Sequence, residues 1–272
     1  MIRLFMLIIS VALLAACGSP PPRLPQALEQ AQTTDKNARR ALRMGDLAHA
    51  RTLFAQSLKQ HQSVDDVDGA ASALISLATV SHQLQDDEAA IKLLDRILLD
   101  QPDVYPLEWR ITAAFRKAVI LADMGRGDEA VSVLATADQQ CERNCALRSG
   151  IDVLKARLAL LKGDADAALE LAQPVASTRE AGKEEQANAL RIVAAAEEKL
   201  TQHDAALLHY RAVLELDKSL GLSKRIEADL NGIARVLTHL GRAGEAASHA
   251  RRAALVHEAA GRNAPAATSS GP

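Results

Sequence analysis

Aromatic side chains are almost absent from this chain: one tryptophan, two tyrosines and three phenylalanines in 272 residues, although 48% of the residues are apolar. That shortage argues against sheets, which draw stability from aromatic and β-branched side chains packed on a pleated surface. An excess of charge of one sign is missing too. A net charge of −2 lacks the basic surplus of a nucleic-acid binder and is too small for an acidic solvating tail. No Gly-rich loop follows a strand, and neither His-Glu-x-x-His nor Gly-x-Ser-x-Gly occurs, so no motif marks phosphoryl transfer, metalloprotease or serine-hydrolase chemistry. No apolar run reaches the roughly 20 residues needed to cross a bilayer. What fills the space is alanine, the best helix former, in long stretches of 3.6-residue period. The fold class is all-α.

The amino terminus carries its own signal. Arg3 is followed by an apolar run from Leu4 to Ala16 that closes on small residues, the pattern of a secretory signal peptide over residues 1–16. Leu14-Ala15-Ala16-Cys17 resembles the lipobox of bacterial lipoproteins. The resemblance implies that Cys17 is lipidated and becomes the mature first residue. Several acyl chains, at about 0.8 kcal/mol per buried methylene, would anchor it stably. Gly18 stands where aspartate often signals inner-membrane retention in that family, so the expected location is the outer membrane, facing the periplasm. Losing the first 16 residues takes the net charge from −2 to −3. Residues 17–30 read as a proline-rich tether, because the prolines from Pro20 to Pro25 cannot enter a helix.

A helix-turn-helix phrase then recurs six times, beginning at Arg43, Gln83, Asp123, Leu161, Leu200 and Leu240. Alignment puts alanine at two fixed places in every copy: Ala38, Ala78, Ala118, Ala156, Ala194 and Ala234, and, 12 residues later, Ala50, Ala90, Ala130, Ala168, Ala206 and Ala246. Small residues belong where antiparallel helices cross within about 8–10 Å. The turn between them holds Gly-Asp or a polar equivalent, which ends one helix and caps the next. This pattern resembles the tetratricopeptide repeat family, with a large residue four after the second alanine in Phe54, Leu94, Leu134 and Tyr210, and Pro102 at the usual helix-ending position. The resemblance implies a right-handed superhelical solenoid of about six repeats over residues 31–258. The copies recur every 38 to 40 residues rather than the family's 34, so helices or linkers are longer. Pro174 should kink or stop its helix near Gln173, and residues 259–272 read as a disordered tail.

Little else invites chemistry. The histidines, among them His49, His203, His209 and His249, are scattered, and His203 and His209 lie on different helix faces. The pairs Asp65-Asp66, Asp86-Asp87 and Glu184-Glu185 fall at helix starts, where they complement the helix dipole. No metal, cofactor or catalytic residue is expected. With Cys17 used for lipid, Cys141 and Cys145 remain as a pair in an oxidising compartment. They are either two thiols or, if the helix has ended by Asn144, a disulfide closing a five-residue loop.

The resemblance also assigns an inner face to the first helix of each pair. Ile75, Phe115 and Val119 give copies two and three an apolar patch. Arg157, Asn188, Arg191, Asn231 and Arg235 give copies four to six a basic, amide-rich one. Such residues can grip carboxylates and extended backbone, or simply form a solvated face. The expected function is a lipid-anchored scaffold or adaptor that binds a protein or peptide, without nucleic acid or a small-molecule substrate. The alternative is an assembly factor for an outer-membrane pilus or secretion complex.

Overall fold

The computed structural model describes residues 25–100, 103–142, 145–178 and 181–262. Among these residues the chain forms twelve α-helices and no strand, arranged as six antiparallel pairs. The first helices of the pairs are α1 (Gln26–Arg43), α3 (Val67–Gln83), α5 (Leu107–Asp123), α7 (Arg148–Leu161), α9 (Lys183–Lys199) and α11 (Ser223–His239). The second helices are α2 (Leu47–Ser63), α4 (Asp87–Asp95, continued by a π-helical turn Arg96–Asp100), α6 (Gly127–Gln140), α8 (Ala165–Ser177), α10 (His203–Leu220) and α12 (Ala243–Arg262). Consecutive first helices touch one another and form the inner layer, while the second helices pack outside.

The turn inside each pair is built the same way six times. The residue seven after the first alanine takes a left-handed backbone: Gly45, Gln85, Gly125, Gly163, Thr201 and Gly241, with φ between 60° and 91°. The next amide then bonds back across the turn, as Asp46 N does to Ala41 O at 3.0 Å and Arg126 N to Leu121 O at 2.8 Å. This closes the last turn of the first helix in a Schellman motif. Asp46 and Asp164 then cap the following helices through His49 N and Ala167 N. The same device joins copies one to two through Asp65 and five to six through Gly221.

Eleven of the twelve crossing alanines are buried. The twelfth, Ala234, is half-buried, because among the described residues no further pair stacks on α11 and α12. Phe54, Leu94, Leu134 and Tyr210 are all buried beneath these crossings. Large core side chains such as Leu74, Ile97, Leu121 and Ile151 knit copies two to four together, and Leu230, Ile233 and Leu237 do so in copies five and six.

Three boundaries differ from expectation. Helix α1 begins at Gln26, inside the stretch read as tether, because Pro25 is tolerated immediately before a first turn and its carbonyl accepts from Leu28 and Glu29. Helix α12 runs to Arg262, past the expected start of the tail at residue 259, carried by its alanines. Helix α8 passes through Pro174 to Ser177 instead of stopping at Gln173, with Ala172 and Val175 buried on either side. The missing donor leaves Glu170 O without its helical partner, about two turns from the end. The signal segment, Cys17 and Pro102 lie outside the described residues.

Candidate functional site: a groove across four first helices

A cavity of about 620 Å³ opens on the inner layer and spans α5, α7, α9 and α11. Its lining includes Phe115 and Val119 from α5, Val153, Leu154, Arg157 and Leu160 from α7, and Asn188, Arg191 and Ile192 from α9. Gly150 shapes one wall: a Cβ there would stand 3.2 Å from Phe115 Cζ, so the ring lies directly against the α7 backbone. The structure thus brings together Phe115, Val119, Arg157, Asn188 and Arg191. Three other expected binding residues lie outside the groove. Ile75 is 92% buried in the core of copies two to four and is no surface patch. Asn231 and Arg235 are exposed on α11 beyond the cavity.

The three expected gripping arginines are already occupied. Arg157 Nη2 donates to Asp123 Oδ1 at 2.6 Å, and Asp123 also meets His82 Nε2 at 3.1 Å. Arg235 bonds to Glu198 through Nε and Nη2, each at 3.2 Å, and reaches the Tyr210 hydroxyl. The Glu198 hydrogen bond holds the guanidinium above its ordinary range. Tyr210, largely buried and facing Glu198, has its phenol pushed up. Arg191 is the most committed: Nε donates to Asp229 at 2.9 Å, Nη2 to Asp217, and Nη1 to Asn188 at 3.1 Å. It is a buttress of the groove wall rather than a free grip.

Asp217 and Asp229 are fully buried, and each has one oxygen without a hydrogen-bond partner. One guanidinium therefore serves two carboxyl groups. Burial pushes Asp229 up to about 6, against the pull of Arg191, and the neighbouring Asp217 adds to the rise. A proton on Asp229 would turn one of its oxygens into a donor, lightening the cost of burying it beside Asp217.

Other titratable groups are spent on structure. Buried His61 links Asp66 at 2.7 Å and Asp35 at 3.3 Å, and Ser57 donates to Asp35. His209 meets Glu197 at 2.7 Å, and His203 stacks on His239 with ring centroids 4.8 Å apart. His249 bonds to the Glu245 carbonyl at 3.0 Å, and His49 is exposed. Among the described residues no group of three His, Cys, Asp or Glu side chains is placed to hold a metal. Helix α6 ends at Gln140, and Cys141 and Cys145 stand disulfide-bonded with Cα atoms 5.4 Å apart. Arg148 beside them bonds to the Cys141 carbonyl and to Asp138. The loop leads directly to Ala146 and Leu147, which line the groove.

Two cations in the groove were not among the expected binding residues. Arg116 extends over the Phe115 ring, 5.9 Å from its centroid. Arg225, on the first turn of α11, has a buried Nη1 with no hydrogen-bond partner. It lies three residues before Ala228, which the repeat resemblance also places on the inner face of this helix. Extending the stripe by one turn would have found it. A smaller apolar crevice of about 310 Å³ lies on the outer side between α6, α7 and α8, but its lysines, Lys155 and Lys162, pair with Asp138 and Asp128.

No protein-family model matches the sequence, and no curated protein does. Likeness to solved structures is of fold. The apo form of RapI superposes with a TM-score of 0.68 at 11% identity, over 93% of this chain and 90% of that one. A Rap protein complexed with competence and sporulation factor gives 0.61 at 14% identity, over 88% and 78%. Kinesin light chain TPR-like repeats from Podosopora anserina give 0.55 at 16%, over 73% and 99%. The chain therefore has a tetratricopeptide-like, superhelical helical-repeat fold.

Proposed function

We propose that this chain is a lipid-anchored interaction scaffold of the bacterial envelope, holding a protein or peptide partner in the groove of its inner layer. One observation carries the reading: the groove runs unbroken over four consecutive first helices, with an apolar floor and charged walls. That is the form of a site for an elongated ligand rather than a compact substrate. A Rap protein of the same fold class was solved in complex with competence and sporulation factor, which supports a binding role. The paired carboxylates and histidines serve caps and ion pairs, which favours a non-enzymatic chain. Lipidation at Cys17 would fix the scaffold to the outer membrane, facing the periplasm.

The test is capture from intact envelopes with the wild-type chain and a Val119→Asp variant, beside fractionation of Cys17→Ser. The partner should be lost with the groove substitution, and Cys17→Ser should leave the membrane fraction while staying folded. A partner retained equally by Val119→Asp refutes the groove. A Cys17→Ser protein that stays with the membrane after a salt wash refutes the anchor. Pilus or secretion subunits as the partner would make the scaffold an assembly factor; cell-wall proteins would make it an adaptor.

A further inference from the structure

The groove's free charge is not where the arginine stripe puts it. Arg157 and Arg191 are neutralised by Asp123, Asp217 and Asp229. Arg116 and Arg225 have no carboxylate partner among the described residues, and the buried Nη1 of Arg225 has no acceptor at all. Both line the groove, and a guanidinium with no anionic partner is best complemented by a carboxylate, which it can grip through more than one N–H. The two acids on the wall do not supply it. Glu184 and Glu185 sit in the first turn of α9, where the helix N-terminus offsets their charge, and neither pairs with Arg225.

Arg116 on α5 and Arg225 on α11 stand three helix spacings apart, about 25–30 Å, which an extended segment of about eight residues covers. Between the two cations the floor is aliphatic: Val119, Val153, Leu160 and Ile192. We infer that the groove takes an extended peptide segment of about eight residues, with a carboxylate on Arg225, a second near Arg116, and aliphatic side chains on the floor between them. This rests on the scaffold reading above and gives its partner a chemistry: acidic and aliphatic.

The experiment uses the purified full chain and three fluorescein-labelled octapeptides: alternating leucine and glutamate, the same with lysine for glutamate, and the same with serine for leucine. Fluorescence anisotropy should show binding of the leucine–glutamate peptide alone, weakening as salt rises. Arg225→Ala should reduce that affinity about tenfold or more, and Arg225→Lys less. Equal binding of the lysine or serine peptide overturns the inference, as does unchanged affinity in an Arg225→Ala protein whose circular dichroism is that of the wild type. Should Arg225→Ala fail to fold, Val119→Asp on the groove floor replaces it, since the added negative charge must also weaken the acidic peptide. If the leucine–glutamate peptide does not bind while the natural partner still cross-links to a photoreactive group at Ala195, the inference fails and the scaffold reading stands.

Discussion

Replacing Asp229 with asparagine should make the chain more stable at about pH 8 and much less sensitive to pH through the mildly acid range. Asp229 and Asp217 are both fully buried and share the one guanidinium of Arg191. In the folded chain burial pushes the Asp229 carboxyl from its ordinary 3.8 up to about 6. The unfolded chain releases that proton near 3.8, so between about pH 4 and 6 the folded state holds more protons. Stability then falls as pH rises through this window and levels off above it. A rise of roughly two pH units corresponds to about 3 kcal/mol lost once both states are ionised. Asparagine keeps the acceptor for Arg191 Nε and offers Asp217 Oδ1 the donor it lacks, so it imitates the protonated form. The gain at about pH 8 should be about 1–3 kcal/mol, or some 2–4 °C in Tm per kcal/mol. Groups held low act in the opposite sense but at lower pH: Asp138, which burial works to raise, is kept below its ordinary value by Lys155 and Arg148. Urea denaturation of wild type and variant across the window measures the effect. A variant less stable than wild type at about pH 8, or one with an undiminished pH slope between 4 and 6, would refute the argument from the raised Asp229 carboxyl.

The same network predicts that Arg191→Ala costs about 3–5 kcal/mol, because two buried carboxylates lose their only cation. Arg235→Ala, where the guanidinium itself is exposed, should cost under about 1 kcal/mol; equal losses in chemical denaturation would contradict the division. Thr201 is a β-branched residue at φ 60° in a turn where four other copies have glycine, so Thr201→Gly should stabilise by about 1 kcal/mol. A lower unfolding midpoint would show that the turn tolerates it for another reason. Ala118→Leu or Ala194→Leu, at fully buried crossings, should destabilise by about 1–3 kcal/mol, with Ser132→Leu on the exposed face of α6 as the neutral control. Equal Tm shifts at crossing and control sites would break the register.

The parts of the fold that sequence showed well are those decided locally. A glycine or polar residue seven after the first alanine specifies its turn locally, with a capping aspartate in copies one and four, and the crossing alanines need only a steric argument. The inner-face positions of copies three to five were legible for the same reason: Phe115, Val119, Arg157, Asn188 and Arg191 all line the groove. Side-chain pairing is different because each partner belongs to another copy. Arg157 meets Asp123 34 residues away, Arg191 meets Asp229 38 away, and Arg235 meets Glu198 37 away. These separations are close to the repeat period, so asking which acids stand one copy away would have exposed the occupied arginines.

Arg225 breaks that rule, and the reason can be tested. The register places Glu185 forty residues before it, yet the two do not pair. The Glu185 carboxylate turns instead to the start of its own helix, where Oε2 stands 2.5 Å from the point a Cβ on Gly182 would occupy. Gly182 has φ −57° and ψ 152°, a conformation open to any residue. Gly182→Ala should therefore fold normally while its methyl displaces the flexible end of Glu185. Released from the helix start, Glu185 becomes free to pair with the Arg225 guanidinium from within the chain and to compete with an incoming carboxylate. Affinity for the leucine–glutamate octapeptide should fall, and the additional substitution Glu185→Gln should restore it. If Gly182→Ala leaves the affinity unchanged in a protein of wild-type stability, Arg225 is not kept open by the way Glu185 folds back, and the absence of that pair needs another cause.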